Sequence, residues 1–404
     1  MSGGQRAHAG HGAHEEAKIG TKIVRDERAI LEYLEDPSAR WNAPVDLGTP
    51  SIVTYSFLDP TTLPAPEDVF FKVRDTIAFN SKQQAQFRKA LKDYEKVTGL
   101  KFVEVSGETP SMIEVYGVGG SGLGGFASVP YSTPFETLPG ELVMEIGPSG
   151  GGNFTDTVWY EILLHEIGHT IGLGHPHEGK FQLATAFDNT SQTQMSYVGA
   201  KPTGKLGPID LKALDTLYAG PMNTKGWTFA ARDDGLTIKG SGRADTIFGP
   251  LGDNRLSGKA GADWLIGREG DDLLKGGKGS DLLTGLAGRD ELKGGKGGDT
   301  LEGDWGRDLL KGGKGRDRLE GGAGKDELKG GRGADTFVFD GKNLGRDVVT
   351  DFAPGLDEIE LKGGPSGARV SDIEGGALLS VVRLNLKVEF EGVTAVELQD
   401  ALGL

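Results

Sequence analysis

The chain has 404 residues, a formal net charge of -15 and no cysteine. This length favours two or three domains, and the charge argues against nucleic acid as a partner because phosphate binding needs a basic surface. Without cysteine there is no disulfide framework, which fits either a cytosolic protein or one exported unfolded. No stretch reaches the ~20 apolar residues of a membrane span. Residues 1–20 are polar and lack the apolar run of a signal peptide, so we expect a disordered segment that could be a propeptide.

Residues 21–225 carry a mixed pattern of strands and helices. Ser51–Phe57 is rich in β-branched and aromatic residues and predicts a strand. Ser81–Val97 begins with a serine cap and has apolar residues at helical spacing, which predicts an amphipathic helix. Strand, helix and strand in this order indicate a crossover over a sheet. We expect further strands at 101–105, 113–118, 125–129 and 141–146, and further helices at 156–172 and 208–218.

Two histidines mark the helix predicted at 156–172. His165 and His169 are four residues apart and therefore lie on one face of the helix, where both imidazoles can bind one ion. Glu166 lies beside the first of them, where its carboxylate can reach a water on that ion. Two nitrogens alone leave a zinc site incomplete.

A third ligand follows the end of this helix. Gly172 permits a positive φ, so the helix can stop and the chain can turn back. The turn can bring His175 to the other two histidines, which gives three protein nitrogens and one open position, as in catalytic zinc sites. His177 competes for this role, and we favour His175 for its spacing from Gly172.

Residues 165–176 resemble the metzincin signature HExxHxxGxxH, which a Met-turn follows. Met195-Ser196-Tyr197 resembles the Met-turn of the serralysin branch of the metalloproteases. In that family the methionine forms an apolar floor under the zinc and the tyrosine helps to stabilise the oxyanion. The resemblance gives these roles to Met195 and Tyr197, and it extends to the strand at 54–57 and the helices at 81–97 and 210–220.

The resemblance implies an α/β metzincin-type catalytic domain over residues 21–225 that binds one catalytic Zn2+. Zinc would polarise the scissile carbonyl and lower the pKa of a water towards ~7, and Glu166 would act as general base. Substrates would add as an extended strand to a sheet edge, which predicts broad specificity. The candidate edge strand is Gly125, Phe126, Ala127, Ser128 and Val129.

The composition changes after Gly220. Of the 67 glycines, 27 fall in residues 241–340, and Asp recurs there every nine residues with one break, at Asn254. An apolar residue follows each of these positions by two. Such a strict period indicates a repeat architecture.

This unit resembles the RTX repeat GGxGxDx-apolar-x, which implies an all-β parallel β-roll over residues 226–340. Stacked turns would bind several structural Ca2+ ions through Asp carboxylates and glycine carbonyls. In residues 241–340 there are 17 Lys and Arg against 19 Asp and Glu, so we expect weakened calcium affinity. The calcium ligands implied are Asp263, Asp272, Asp281, Asp290, Asp299, Asp308, Asp317, Asp326 and Asp335.

Residues 341–404 return to strand-like alternation. By resemblance they form a C-terminal β segment with a secretion signal, read by the type I machinery of a Gram-negative bacterium. We therefore expect a monomeric, secreted, extracellular endopeptidase whose partners are protein or peptide substrates, a proteinaceous inhibitor and that machinery. Two alternatives are a non-catalytic RTX surface or adhesion protein and an RTX lipase. A Gly-x-Ser-x-Gly nucleophile elbow between a strand and a helix would favour the lipase.

Overall fold

The computed structural model separates into two compact units. The first contains the described residues up to Met222, except that Pro50–Thr54 and Val105–Pro110 group with the second, which runs from Asn223 to Leu404. No helix in the described part of the chain is long and apolar enough to cross a membrane. The residues described are 22–24, 51–66, 74–106, 109–119, 125–127, 131–132, 137–138, 140–145, 156–173, 175, 181–183, 193–196, 204–340, 345–362, 364, 366–381 and 386–404.

Up to Tyr218 the described residues form both strands and helices, as the mixed sequence pattern predicts. The elements are β1 (Lys22–Val24), β2 (Ser51–Phe57), β3 (Asp75–Ile77), α1 (Ser81–Glu95), β4 (Leu100–Glu104), β5 (Ile113–Gly119), β6 (Gly125–Ala127), β7 (Tyr131–Ser132), β8 (Thr137–Leu138), β9 (Gly140–Glu145), α2 (Asp156–Thr170), β10 (Phe181–Leu183) and α3 (Pro208–Tyr218).

One sheet organises these elements. Its strand order is β4-β2-β5-β9-β6, and β3 pairs with β5. The strands β2, β5 and β9 pair in parallel, whereas β6 is antiparallel to β9 and forms the edge. Every strand and helix predicted before residue 220 overlaps an observed one, and the unpredicted elements are two or three residues long. The assignment of this α/β region to the metzincin fold stays a prediction.

The N-cap of helix α1 lies one residue before the serine that the sequence predicts. Asn80, and not Ser81, is the cap: its Oδ1 accepts from the backbone N–H of Gln83, whose side chain accepts from the N–H of Asn80. Ser81 is already helical, so its backbone cannot take the extended conformation of a cap. The buried side of the helix includes Tyr94, whose hydroxyl donates to the Leu164 carbonyl of α2 at 2.5 Å.

The second unit consists of strands followed by one helix: β11 (Thr228–Arg232), β12 (Gly235–Lys239), β13 (Thr246–Phe248), β14 (Arg255–Ala260), β15 (Trp264–Glu269), β16 (Leu273–Lys278), β17 (Leu282–Gly288), β18 (Glu291–Lys296), β19 (Thr300–Gly306), β20 (Leu309–Lys314), β21 (Arg318–Gly324), β22 (Glu327–Arg332), β23 (Thr336–Phe339), β24 (Asp347–Val349), β25 (Glu358–Leu361), β26 (Ala368–Ile373), β27 (Gly376–Val381), β28 (Leu386–Glu391) and α4 (Ala395–Leu402).

These strands form a parallel β-roll, as the nine-residue period predicts. Successive strands alternate between a seven-stranded sheet, β13 to β25, and an eleven-stranded sheet that begins β11-β12-β14-β16. From β12 to β21, each strand pairs in parallel with the strand 18 residues further on, so that Leu274 faces Leu292. Two repeats therefore make one coil. The parallel pairing continues to Leu361 in β25, and β28, β27 and β26 extend the larger sheet.

The core of the roll is a stack of aliphatic side chains. The apolar residue two positions after each repeated Asp points inward and is fully buried, as predicted. Because each coil covers the next, no single repeat could bury its own apolar residue. The stacked residues are Leu265, Leu274, Leu283, Leu292, Leu301, Leu310, Leu319, Leu328 and Phe337, all 0% exposed.

Glycine is required where neighbouring coils approach most closely. Gly315 has a φ of +141°, and a Cβ added there would lie 1.5 Å from the carbonyl oxygen of Gly297 in the preceding coil. Neither the backbone conformation nor the space admits a side chain. By contrast, a Cβ at Gly242 would meet nothing within 4 Å.

We predict that Gly315→Ala destabilises the roll, because strain in this backbone region adds to the clash with Gly297. The loss should exceed about 2 kcal/mol. Urea unfolding of the full chain at saturating calcium measures it. Gly242→Ala is the matched control and should unfold like the unmodified protein. Equal stability of both variants would contradict the tight stacking of the coils.

Candidate functional site

The sequence-predicted histidines lie on and just after α2. His165, Glu166 and His169 belong to the helix. The helix ends in a turn in which the backbone N–H groups of Gly172 and Leu173 donate to the carbonyls of His169 and Gly168. Gly172 has a φ of +90°, the left-handed conformation that glycine adopts without strain. This turn leads the chain back towards the helix at His175.

The structure brings the three predicted histidines together. Their Nε2 atoms form a nearly equilateral triangle: 3.2 Å from His165 to His175, 3.2 Å from His165 to His169 and 3.1 Å from His169 to His175. The same three residues form a group that could hold a metal ion. A tetrahedral ion with metal–nitrogen bonds of ~2.0–2.1 Å separates its ligand nitrogens by about 3.3 Å, so the donor set fits zinc.

Backbone carbonyls orient two of these rings. The Nδ1 of His165 lies 2.9 Å from the carbonyl oxygen of Gln194, and the Nδ1 of His169 lies 2.7 Å from that of Leu173. A carbonyl oxygen only accepts hydrogen bonds, so each Nδ1 carries the proton. The lone pair of each Nε2 is therefore left facing the centre of the triangle, as metal binding requires.

Glu166 lies on the same helix in a buried environment. The residue is 6% exposed, and burial raises the pKa of its carboxyl to about 8. The edge strand β6 runs close by: a Cβ added at Gly125 would lie 2.7 Å from Cγ of Glu166. Gly125 thus lets the backbone of the predicted substrate strand approach the predicted general base.

Met195 packs against α2 beside the histidines. It is fully buried, and a Cβ added at Gly168 would lie 2.5 Å from its Sδ. Its role as the apolar floor of a zinc site stays a prediction. Of the other predicted residues, Phe126 and Ala127 lie in β6. Tyr197, Ser128, Val129 and the competing His177 lie outside the described residues, so their roles stay predictions.

Asp210 supports the turn at residues 193–196, a role that the sequence did not predict. Its carboxylate is fully buried and accepts from Thr193 Oγ1 at 2.5 Å and from the N–H groups of Gln194 and Gly207 at 2.7 Å. Burial raises its pKa to about 6, although these hydrogen bonds lower it. Gln194 in turn orients His165. The carboxylate thus positions a histidine through the chain segment between them.

The roll carries a second array of donor groups. The Oδ1 of the repeated Asp accepts a hydrogen bond from the backbone N–H of the equivalent residue one coil earlier. Asp290, for example, accepts from the N–H of Asp272 at 2.8 Å. The other oxygen, Oδ2, is buried and has no hydrogen-bond partner in eight of the nine predicted calcium ligands. These eight are Asp263, Asp272, Asp281, Asp290, Asp299, Asp308, Asp317 and Asp326. Asp335 continues the Oδ1 ladder by accepting from Asp317.

Oxygens converge on the space beside the first glycine of each turn. A Cβ added at Gly285 would lie 2.3 Å from Oδ2 of Asp290 and 2.8 Å from the carbonyl oxygen of Gly303 in the next coil. Calcium binds carboxylate and carbonyl oxygens at 2.3–2.6 Å. Orphaned carboxylate oxygens and inward carbonyls therefore fit a calcium ion between neighbouring coils.

Without a cation, burial raises the pKa of these Asp side chains and so disfavours their ionised form. It raises the pKa of Asp290 and Asp308 to about 7, with a smaller contribution from the next Asp of the column. It raises the pKa of Asp299 and Asp317 to about 6. At neutral pH the roll therefore has buried, partly ionised columns of like charge.

Comparison with known proteins identifies the repeat region. A family model described as RTX calcium-binding nonapeptide repeat (4 copies) matches residues 237–265, 251–283, 266–301, 275–310 and 302–337. Calcium binding by the roll follows from this match.

Two curated relatives are serralysins. Serralysin A of Dickeya chrysanthemi is 27% identical over 236 residues, which cover 51% of this chain and 44% of that protein. Serralysin C of the same organism is 29% identical over 241 residues, with coverages of 51% and 44%. The match thus spans less than half the length of these relatives. Among solved structures, the extracellular lipase LipA from Serratia marcescens covers 37% of this chain and 38% of its own at 19% identity, with a TM-score of 0.20, too low to support an inference.

We predict that Asp210→Asn weakens metal binding at the histidines. An amide cannot accept all three hydrogen bonds, so the turn that orients His165 should loosen. Loss of such supporting contacts typically lowers metal affinity 10–100-fold. Competition with a chromophoric chelator measures the zinc affinity. Asp215→Asn, an exposed position on the same helix, is the control and should bind zinc like the unmodified chain; equal affinities for both variants would contradict the positioning role.

We predict that acid stabilises the calcium-free roll. The folded-state pKa values of about 6 to 7 lie above the ~3.9 of unfolded Asp. The stabilisation is therefore complete below about pH 4 and is lost as pH rises through 6 to 7. Hydrogen exchange of peptides from residues 273–332, measured in excess chelator on the full chain, should be slower at pH 5 than at pH 8 after correction for intrinsic rates. Slower exchange at pH 8 would contradict the burial of these carboxylates.

Proposed function

Because this chain is a serralysin-like protein with RTX calcium-binding repeats, we propose that it is a zinc-dependent endopeptidase. The observation that carries the proposal is the triangle of Nε2 atoms of His165, His169 and His175, 3.1–3.2 Å apart. A non-catalytic surface protein would have no need for three converging lone pairs next to a buried carboxylate. The proposed substrates are proteins or peptides.

The three histidines would hold the ion through Nε2. A bound zinc ion would supply Lewis-acid polarisation of the scissile carbonyl and would acidify the attacking water. The carbonyls of Gln194 and Leu173 keep the Nδ1 protons in place, so the rings need not reorient during the reaction.

Glu166 is the proposed general base. It would accept a proton from the water as the water oxygen attacks the scissile carbonyl, and it would return that proton to the leaving nitrogen as the C–N bond breaks. Burial favours this role because it raises the proton affinity of the carboxylate. Tyr197 is proposed as a second stabiliser of the oxyanion.

The substrate would bind alongside β6. This strand is the sheet edge, so its outer backbone groups can pair with an extended peptide by β-augmentation. Gly125 lies against Glu166, which would place a paired substrate backbone close to the base. Recognition through backbone groups predicts broad sequence specificity.

The roll would act as a calcium-dependent structural domain. Extracellular calcium modules bind with Kd of roughly 10⁻⁴–10⁻³ M, so the coils should close after export. We propose that the protein acts outside a Gram-negative cell after type I secretion, as a monomer subject to a proteinaceous inhibitor.

We predict that Glu166→Gln lowers the rate of casein hydrolysis by at least about 100-fold, because removal of a general base costs 10²–10⁴-fold. The zinc content should stay at one per chain, since the amide leaves all three histidines intact. Activity and metal content are to be measured on the same preparation.

Two histidine variants are the controls for this experiment. His175→Ala should lose both zinc and activity, whereas His177→Ala should keep both. A Glu166→Gln protein with more than a few per cent of the original rate would refute the role of the base. Loss of zinc from His177→Ala alone would move the third ligand to that residue.

A further inference from the structure

The first coil of the roll differs from the later coils at both of its turns. Eight of the later turns, those from Asp263 to Asp326, carry an Asp whose Oδ2 has no hydrogen-bond partner. In the first coil the equivalent residues are Asp245 and Asn254. Their backbone N–H groups keep the regular bonds to Asp263 and Asp272 of the next coil. Their side chains, however, have protein partners.

Asn254 fills its own turn with hydrogen-bond donors. Its Nδ2 donates to the carbonyl oxygens of Pro250 at 2.8 Å and Gly252 at 2.6 Å, and its Oδ1 accepts from the N–H of Leu236 at 3.0 Å. Reversing the amide would place NH2 against N–H and oxygen against two carbonyls. The three bonds therefore fix the amide with its nitrogen inside the turn.

This nitrogen stands where later turns have a carboxylate oxygen. The space beside Gly285 is lined by Oδ2 of Asp290. The corresponding space beside Gly249 has the carbonyl oxygen of Gly267 at 2.6 Å but the Nδ2 of Asn254 at 3.4 Å. An N–H dipole repels a cation and already uses two of the carbonyls, so a calcium ion has no place there.

The other turn of the first coil is closed by different groups. Oδ1 of Asp245 accepts from Ser241 Oγ and from Trp227 Nε1, both at 3.0 Å, and its Oδ2 accepts from the Ser241 N–H. The ammonium of Lys259 donates to the carbonyl oxygen of Gly240 at 2.5 Å. A tethered cation and three donors thus satisfy the oxygens of this turn.

We infer that the first coil is closed by the protein's own donors and binds no calcium at Asp245 or Asn254. The calcium sites begin at Asp263 and Asp272, and the first coil forms a calcium-independent edge. This edge would present the pairing groups of β14 to the next coil when calcium arrives. The inference rests on calcium binding by the roll and is independent of the zinc site.

Restoring the carboxylate tests the inference. Asn254→Asp should increase the number of calcium ions per chain by one, counted by native mass spectrometry of the full protein at saturating calcium. Asn223→Asp is the matched control, because Asn223 is exposed and precedes the roll, and it should leave the count unchanged. An Asn254→Asp protein with the same count as the unmodified chain would overturn the inference.

A second measurement uses the unmodified chain and therefore tests the inference even if Asn254→Asp does not fold. In excess chelator, amides of residues 235–260 should exchange at least about ten-fold more slowly than amides of residues 273–296, after correction for intrinsic rates. Restoration of calcium should protect both segments. Equal exchange of the two segments in chelator would show that the first coil needs calcium as much as the others, and the inference would fail.

Discussion

A buried carboxylate needs a counter-charge, and this requirement governs the second unit of the protein. Eight Asp residues of the roll each have one oxygen without a partner, and within the described residues none of them forms an ion pair. Leaving such groups charged in the interior costs several kcal/mol each. The aliphatic stack of the roll supplies apolar burial, but it cannot remove this electrostatic cost. We therefore expect calcium between the coils to favour formation of the stack at neutral pH.

The histidine centre follows the same rule with different donors. Three nitrogens converge at 3.1–3.2 Å, which is favourable only if a cation lies among them. Imidazole suits zinc, whereas carboxylate and carbonyl oxygens suit calcium. The two donor sets therefore suit different metals. Support from the surrounding chain also differs: Asp210 and two carbonyls orient the histidines, while in the roll each Asp is held by the coil before it.

Periodic features were predictable from the sequence. The four-residue spacing of His165 and His169 predicts one face of a helix, and the nine-residue period of Asp predicts a stacked roll. The structure has both. Contacts between segments far apart in the sequence could not be predicted in this way. Asp210 follows Gly207-Pro208 in a pattern typical of a helix start, and nothing local indicates that its carboxylate also binds Thr193 and Gln194. Likewise, the sequence shows Asn254 only as a departure from the repeated Asp, and its three hydrogen bonds are seen only in the structure.

An anomalous difference map, from crystals grown with zinc and calcium and measured across the zinc edge, tests this account most directly. It should show one zinc peak about 2.0–2.1 Å from the Nε2 atoms of His165, His169 and His175. Calcium peaks should lie between the coils beside the eight orphaned carboxylates, with none beside Asn254. A map without zinc at the histidines, or an ordered roll without calcium at its carboxylates, would contradict the dependence of the structure on cations.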